Sequence, residues 1–547
     1  MPPFSLFPGF PATILGNSEG PGLYALMESM SLLISRNPAT GETLAQIEMT
    51  SHEELPKIFE RARFAQKLWA AQPLKARSQV LLQLREVLIQ HIDEITETIV
   101  NENGKPHFEA MGHEIVPTLD ILTFYAKQAP RILADRKIPL TLMKHRRSYY
   151  NYWPLGVVAV ISPWNYPWLL PLGEIAMAVA AGNAVVFKPS EITPLVGLKI
   201  QDMFDRAGFP AHLLQTVIGD GRVGAAIIDQ KPSKVFFTGS VLTGKKIMAQ
   251  ASQYLIPVNL ELGGKDALLV LPDADLDFAT SAALWGGYTN AGQMCASVER
   301  ILVHESIATP FQELLVKKLG QLKQGPSSTR NNDLGPVTFE KQKAVYEDHL
   351  TEARQADAKF LCGGDLSEDK RYMQPTLISG AGVEKLKVYK EETFGPVIAL
   401  TTFRSIPEAI EKANSGRYGL LASVITRNLS LGEQVAKQLE AGSVLINEVC
   451  YTAGLAETPW GGVKESGIGR THSAEGLLEF VNVRHIHKPL FSWLTFKSFW
   501  WFPYTEIQFR FFRLFAEMYR RSWMLKARTL PDFLMAFAQL VKNDKRL

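Results

Sequence analysis

From Pro154 onward, short apolar runs alternate with stretches whose apolar residues recur at helical spacing. Residues 157–161, 184–188, 214–218, 234–238 and 256–261 read as strands. The intervening 171–181 (closed by Gly182), 195–207, 223–228 and 244–254 read as helices. Strand and helix taking turns implies a mostly parallel, doubly wound sheet. Such sheets bind ligands beyond the carboxyl ends of their strands. A second alternating region runs from Gly263 to about residue 470. Its strands are expected at 267–270, 300–303, 397–403, 423–426 and 443–447, and its helices at 311–319, 344–355 and 406–413. Upstream, 54–101 reads as two amphipathic helices broken near Pro73. In the second, Val80, Leu81, Leu84, Val87, Leu88 and Ile92 fall at three- and four-residue steps. Residues 116–134 read as another helix. Residues 137–153, polar and aromatic around Lys144-His145-Arg146-Arg147, fit either a long hairpin or a solvated basic loop.

Size and charge narrow the class. A chain of 547 residues exceeds one ordinary core, so two or three packing units are expected. Apolar residues are 46% and charged ones 21%, as in a globular chain. A net charge of +3 gives no ground for nucleic-acid binding. Three scattered cysteines make no disulfide framework, so a reducing compartment, the cytoplasm, is expected. Residues 1–30 are Pro- and Gly-rich, irregular, and lack the pattern of a signal peptide. Residues 148–173 carry no charge, but Pro154, Pro163, Pro167 and Pro171 argue against a spanning helix.

Three stretches carry candidate chemistry. In Phe237-Thr238-Gly239-Ser240, a strand meets a tight turn and then a helix, with Ser240 as N-cap. A helix start of that kind offers N–H groups and a positive dipole to a pyrophosphate. Gly239 through Gly244-Lys245 resembles a P-loop, but Lys246 stands where magnesium needs Ser or Thr. An ordinary helix cap explains this loop equally well. In Lys188-Pro189-Ser190-Glu191, Lys188 and Glu191 are placed on ribose hydroxyls. A carboxylate there would repel a 2′-phosphate and favours NAD over NADP. The plain alternative is a strand-end lysine and a helix N-cap. Gly292-Gln293-Met294-Cys295 follows a helix expected over 275–288. Its thiol is the candidate nucleophile, and Glu261 upstream is the candidate water-activating base. Cys362 and Cys450 have no neighbour at metal-ligand spacing, so no metal site is expected.

Seven stretches in order join these motifs. Besides the three named, they include Pro163-Trp164-Asn165, Glu261-Leu262-Gly263-Gly264-Lys265, Glu391-Glu392-Thr393-Phe394-Gly395-Pro396 and Pro459-Trp460-Gly461-Gly462-Val463-Lys464. Over about residues 33–487 the chain resembles the aldehyde dehydrogenases. The resemblance implies a Rossmann-like cofactor domain (31–136 and 154–262), an α/β catalytic domain (263–469) and small bridging hairpins (137–153 and 470–487) that support a homodimer or homotetramer. It implies that Cys295 attacks an aldehyde, that Asn165 and the Cys295 N–H hold the oxyanion, and that Glu261 activates water. Trp164, Lys188, Glu191, Thr238, Gly239, Ser240, Gly244, Leu262, Glu392 and Phe394 would hold the dinucleotide. Glu299, before Arg300, departs from the small residue of many members and is given no role.

Residues 488–547 extend past that resemblance as a helical tail. They hold four of the ten tryptophans, and eleven Lys and Arg against four Asp and Glu. Aromatics interleaved with cations suit a helix lying in a bilayer interface, on the cytoplasmic face. The alternative is a tail packed on a neighbouring subunit. The tail is similar in plan to the apolar C-terminal tails of some fatty-aldehyde members, and the two together imply a long, apolar aldehyde, with Tyr166, Tyr451 and Trp460 placed along an aromatic access tunnel. Rival readings are a CoA-acylating enzyme, a dehydrogenase of a small semialdehyde, and a catalytically silent membrane-bound scaffold. Glu261 argues against the first, and the joint presence of Cys295, Glu261 and Asn165 against the last.

Overall fold

Strands Val157–Ile161 and Ala184–Lys188 are buried at every position, as parallel strands covered on both faces must be. They lie in a six-stranded sheet ordered Gly467–Ile468, Val258–Glu261, Lys234–Thr238, Val157–Ile161, Ala184–Lys188, Leu214–Thr216. Every pairing from Val258–Glu261 onward is parallel, whereas Gly467–Ile468 adds antiparallel to the edge. The strand order reverses beside Val157–Ile161, with later strands laid down first on one side and then on the other. The loops leaving Ile161 and Thr238 therefore open toward each other at the carboxyl end of the sheet. The computed structural model describes residues 32–328, 330–494 and 498–543. The irregular segment expected over 1–30 lies outside them.

A second, seven-stranded sheet runs Lys359–Cys362, Thr376–Ser379, Val397–Phe403, Val298–His304, Asp266–Val270, Leu421–Ile425, Ser443–Ile446. All its neighbours are parallel except the first pair. Both α/β sheets belong to one compact unit, made of the chain up to 133 and residues 153–482. Helix Leu169–Ala181 is buried on nearly all sides, and Gly182 ends it in the left-handed conformation at φ 94°.

Several boundaries differ from the sequence reading. Residues 54–101 form three helices, Leu55–Ala70, Leu74–Gln90 and Ile92–Asn103. The second break is at His91, at φ −112° and ψ 20°. No Gly or Pro marks it, and the apolar spacing runs straight across to Ile92. The helix expected over 244–254 begins at Val241, directly after its cap Ser240. The uncharged stretch 148–173 is divided between the end of Arg146–Pro154, the buried strand Val157–Ile161, a loop and the start of the buried helix Leu169–Ala181. No helix among the described residues is long and apolar enough to cross a membrane.

The other unit comprises 134–152 and the chain from 483 on. Of the two alternatives for 137–153, the hairpin is the one found: Arg136–Ile138 pairs antiparallel with Arg146–Pro154. Val481–Pro489 lies on the other side of Arg146–Pro154. Arg484 Nη2 reaches Asn151 Oδ1 at 2.6 Å, and the Ser148 hydroxyl lies 2.6 Å from His487 Nδ1. Residues 470–480 contribute no strand to this sheet. The tail is two helices, Glu506–Glu517 and Trp523–Asn543, rather than one. Thr505 and Gln508 form a reciprocal cap at the first. Phe511, Ala536 and Leu540 are buried between the helices with Phe499, Ile507 and Phe533 against them, while Trp493, Trp500, Trp501, Phe502, Tyr504 and Trp523 stay exposed.

Candidate active site

One cavity of about 280 Å³ opens at the carboxyl end of the six-stranded sheet. Its lining includes Trp164, Asn165, Thr238, Gly239, Ser240, Glu261, Leu262, Cys295, Glu392 and Phe394. Residues more than two hundred positions apart in the chain thus share one space. Adjacent strand ends bring two of them together, because the Gly239 N–H donates to the Glu261 carbonyl at 3.0 Å. That N–H is spent within the sheet. The anion-facing N–H groups are instead those of the first turn of Val241–Ser252, which have no intrahelical acceptor. Ser240 caps this helix by accepting from the Thr243 N–H at 3.3 Å.

Cys295 is half-buried at one side of the cavity. Three residues upstream, Asn290, Ala291 and Gly292 all have left-handed backbones, at φ 50°, 53° and 68°. Non-glycine residues resist this conformation, at a cost of roughly 1–3 kcal/mol each. Side chains hold them in it. Glu109 Oε1 accepts from the Asn290 N–H at 2.8 Å and from the Thr289 hydroxyl at 2.9 Å. Gly292 is demanded twice, since a Cβ there would also sit 2.2 Å from the Gly395 carbonyl oxygen. Burial pushes the Cys295 thiol above its ordinary range, and the carboxylates of Asp266, Glu392 and Glu261 add to the effect.

Asn165 is almost fully buried and gives one amide proton to the Gln293 carbonyl at 3.1 Å. An amide nitrogen carries two protons, so a second is available to the cavity. The Asn165 carbonyl accepts from Lys105 Nζ at 2.8 Å and from Asn290 Nδ2 at 3.0 Å. Lys105 pairs with Glu114 at 2.6 Å, both fully buried. Glu114 Oε2 in turn accepts from the N–H groups of Trp168 and Leu169 at 2.7 and 3.2 Å.

Glu261 ends strand Val258–Glu261, and neither carboxylate oxygen meets a protein hydrogen-bond partner. Burial, and then the charge of Glu174, raise its pKa well above the usual carboxylate range. A carboxylate so placed takes up a proton readily, which suits a base. Glu392 Oε1 accepts from the Gly264 N–H at 2.9 Å, and burial followed by the charge of Glu299 pushes its pKa up to about 8. Phe394 lies edge-on to Trp164, with ring centroids 5.5 Å apart. A helix start for phosphate, a carboxylate for hydroxyls and an aromatic wall for a flat ring fit the nicotinamide half of a dinucleotide.

The remaining candidates sit elsewhere. Lys188 and Glu191 pair with each other at 3.7 Å outside the cavity lining, and Lys188 Nζ also donates to the Pro189 carbonyl at 2.8 Å. Glu191 is not the N-cap of the next helix; Thr193 is. Gly244 is a packing residue, because a Cβ there would lie 2.6 Å from the Leu262 side chain. Tyr166, Tyr451 and Trp460, expected along an aromatic tunnel, are not in the lining of this cavity, although Trp460 belongs to a buried cluster against which Cys295 packs. Tyr166 is buried with its hydroxyl 3.5 Å from Met294 Sδ, Trp460 is buried in a cluster with Ala296 and Leu420, and Tyr451 is exposed. The sequence reading missed Phe339, Gln342 and Val345, which line the cavity. Nothing local in the sequence marks them.

Residues 27–486 match the aldehyde dehydrogenase family. The 4,4'-diapolycopene aldehyde oxidase of Methylomonas sp. is 38% identical over 524 residues, 93% of this chain and 96% of that protein. An NAD+ complex of an aldehyde dehydrogenase from Bacillus cereus has a TM-score of 0.80 and 32% identity, covering 86% of this chain and 99% of that one. A point mutant of betaine aldehyde dehydrogenase from Staphylococcus aureus, in complex with NAD+ and carrying a BME-modified cysteine, has a TM-score of 0.81 and 29% identity, covering 87% and 100%.

Proposed function

Since the chain belongs to the aldehyde dehydrogenase family, we propose that it oxidises a long, apolar aldehyde to the carboxylic acid with NAD, through Cys295. The observation that carries this reading is the single cavity lined by Cys295, Asn165, Glu261, Ser240, Glu392 and Phe394. The Cys295 thiolate adds to the aldehyde carbon and forms a C–S bond. The oxygen that becomes negative is held by the Asn165 amide and the Cys295 N–H. NAD, when bound, supplies the acceptor for the hydride that leaves that carbon. The carbon is then a thioester on Cys295. Glu261 takes a proton from water, the oxygen adds to the thioester, and the C–S bond breaks to free the acid and the thiolate. Glu392 and Phe394 orient the nicotinamide half, and the helix start after Ser240 faces the pyrophosphate. Lys188 and Glu191 take the adenosine ribose. The Glu191 carboxylate favours NAD over NADP.

Two observations support the apolar substrate. The relative at 38% identity is named for a carotenoid aldehyde. Its alignment covers 93% of this chain and so must run past residue 486, where the family match ends. At least part of the aromatic tail is therefore shared with it. The tail attaches the enzyme peripherally to the cytoplasmic face of a membrane, and the strand-paired segments around 137–153 and 481–489 support a homodimer or homotetramer.

The chemistry is tested with three variants. Cys295→Ala should abolish NAD reduction by any aldehyde. Asn165→Ala should lower kcat on the order of 10²-fold or more. Glu261→Gln should give one equivalent of NADH and stop at the thioester, detected by mass spectrometry. NAD reduction by Cys295→Ala would remove the assignment. A series of aldehydes from two to sixteen carbons tests the substrate, and a maximum among the shortest would count against it.

A further inference from the structure

Glu299, the residue given no role on sequence grounds, lies four positions beyond Cys295 in strand Val298–His304 and is almost fully buried. Both of its carboxylate oxygens are engaged. Oε1 accepts from the Phe394 N–H at 2.8 Å, and Oε2 from the Thr393 N–H at 2.8 Å. Oε2 also pairs with Lys265 Nζ at 2.5 Å. Lys265, equally buried, donates in addition to the Thr393 hydroxyl at 3.1 Å.

These bonds converge on a turn that no ladder supports. Phe394 stands at φ 52°, a left-handed backbone that a bulky aromatic residue keeps only when its surroundings fix it. The carbonyls of the turn are bound too: Gln342 Nε2 donates to Thr393 O at 2.6 Å, and the Tyr346 hydroxyl to Phe394 O at 2.9 Å. Glu299 is the group that takes both N–H bonds, and it does so as a charged acceptor, the stronger kind. The turn carries two lining residues of the cavity, Glu392 and Phe394. Lys265 comes from the segment after Glu261, and Glu299 from the segment after Cys295. The ion pair thus joins the chain behind the base, the chain behind the nucleophile and the cofactor-facing turn.

We infer that Glu299, clamped by Lys265, is a positioning residue that fixes the Glu392–Phe394 turn relative to Cys295 and so sets how the nicotinamide half of the dinucleotide lies over the thiol. The inference rests on the dinucleotide reading of the cavity. Its consequence is a division of labour: the clamp serves hydride transfer and cofactor affinity, while thiol addition and thioester hydrolysis depend on Asn165, Cys295 and Glu261. The negative charge of Glu299 also helps to hold the Glu392 carboxyl above its usual range.

The test uses the purified full chain and the variants Glu299→Gln and Lys265→Met. Three quantities are measured: NAD affinity by calorimetry, kcat and KM for NAD with one aldehyde, and hydrolysis of p-nitrophenyl acetate without NAD. The last needs an acylated Cys295 and water but no hydride transfer. Displacing a reacting group by about 1 Å costs on the order of 10²-fold. NAD-linked oxidation should therefore fall by about that factor in Glu299→Gln, with KM and Kd for NAD raised, while ester hydrolysis stays within about twofold. Equal losses in both reactions, or unchanged NAD affinity, would overturn the clamp. Where Glu299→Gln fails to fold, Thr393→Val removes the hydroxyl's contacts with Lys265 and with His349 Nδ1 while leaving both N–H bonds to Glu299 in place. It should raise KM for NAD more weakly, and an unchanged KM is then the refuting result. A wild type that neither binds nor reduces NAD would instead sink the dinucleotide reading, and the clamp with it.

Discussion

Glu174 sits on helix Leu169–Ala181 with one carboxylate oxygen, Oε2, that meets no protein partner. Burial pushes its pKa up from 4.5 to about 7. The folded state therefore holds a proton that the unfolded state has released at the same pH. Stability from this group is fully present below about pH 4.5 and is lost as pH rises through about 7. Glu174→Gln keeps the shape without the titration. The variant should lose less thermal stability than the wild type between pH 5 and 8, and parallel melting curves would contradict this. A second effect reaches the site. The charge on Glu174 helps to raise the pKa of Glu261. A neutral amide there should move the acid limb of the pH–rate profile for thioester hydrolysis to lower pH, read in the steady state with one aldehyde.

The short segment after helix Ile92–Asn103 decides more of the site than its length suggests. Ala110–Ile115 is a π-helical turn, a form often found at functional sites. At α-helical pitch, Glu109 and Glu114 would point about 140° apart. The wider turn brings them toward one side, where Glu114 pairs with Lys105 and Glu109 holds the left-handed turn before Cys295. Lys105→Met leaves Glu114 buried without its cation, and breaking a buried pair costs roughly 3–5 kcal/mol. A fall of that size in urea-unfolding stability, with kcat reduced through Asn165, is expected; unchanged stability would refute the pairing. Double replacement, Lys105→Met with Glu114→Gln, should restore part of the stability but not the rate. None of this was legible in the sequence. Most of the parallel strands were, because burial on both faces writes them as unbroken apolar runs. Cys295, Glu261 and Asn165 could be singled out because they stand in stretches that resemble the aldehyde dehydrogenases, and the structure brings all three to one cavity. The groups that hold them were not legible. Glu299 meets the Phe394 N–H 95 positions away, and Glu109 meets Asn290 181 positions away. Their partners are backbone groups, which any residue type supplies, so neither end leaves a local signature. Strands Lys359–Cys362 and Thr376–Ser379, four residues each, also escaped.

The two-helix tail has a core of its own, yet among the described residues from 488 on ten aromatic side chains are exposed. Among the described residues of that stretch, Arg510, Arg513, Arg520, Arg521, Lys526 and Arg528 accompany them. A soluble surface has no use for so much exposed ring area, whereas a headgroup layer takes both components: rings at the acyl boundary and cations against phosphates. Each cation near an anionic leaflet contributes about 1 kcal/mol, and salt screens that share within about 10 Å. The full chain should therefore float with vesicles that carry anionic phospholipid at low salt. It should float weakly with zwitterionic ones, and be partly released as salt rises. A chain ended at residue 490 should not float. The same deletion separates attachment from chemistry. Turnover of a short, water-soluble aldehyde should survive it, because no residue assigned to the reaction lies beyond Phe394. Turnover of a long-chain aldehyde held in the vesicles should fall, since that substrate is concentrated where the tail would place the enzyme. Equal flotation of both chains removes the membrane reading, and equal turnover of the vesicle-held aldehyde removes its link to the substrate.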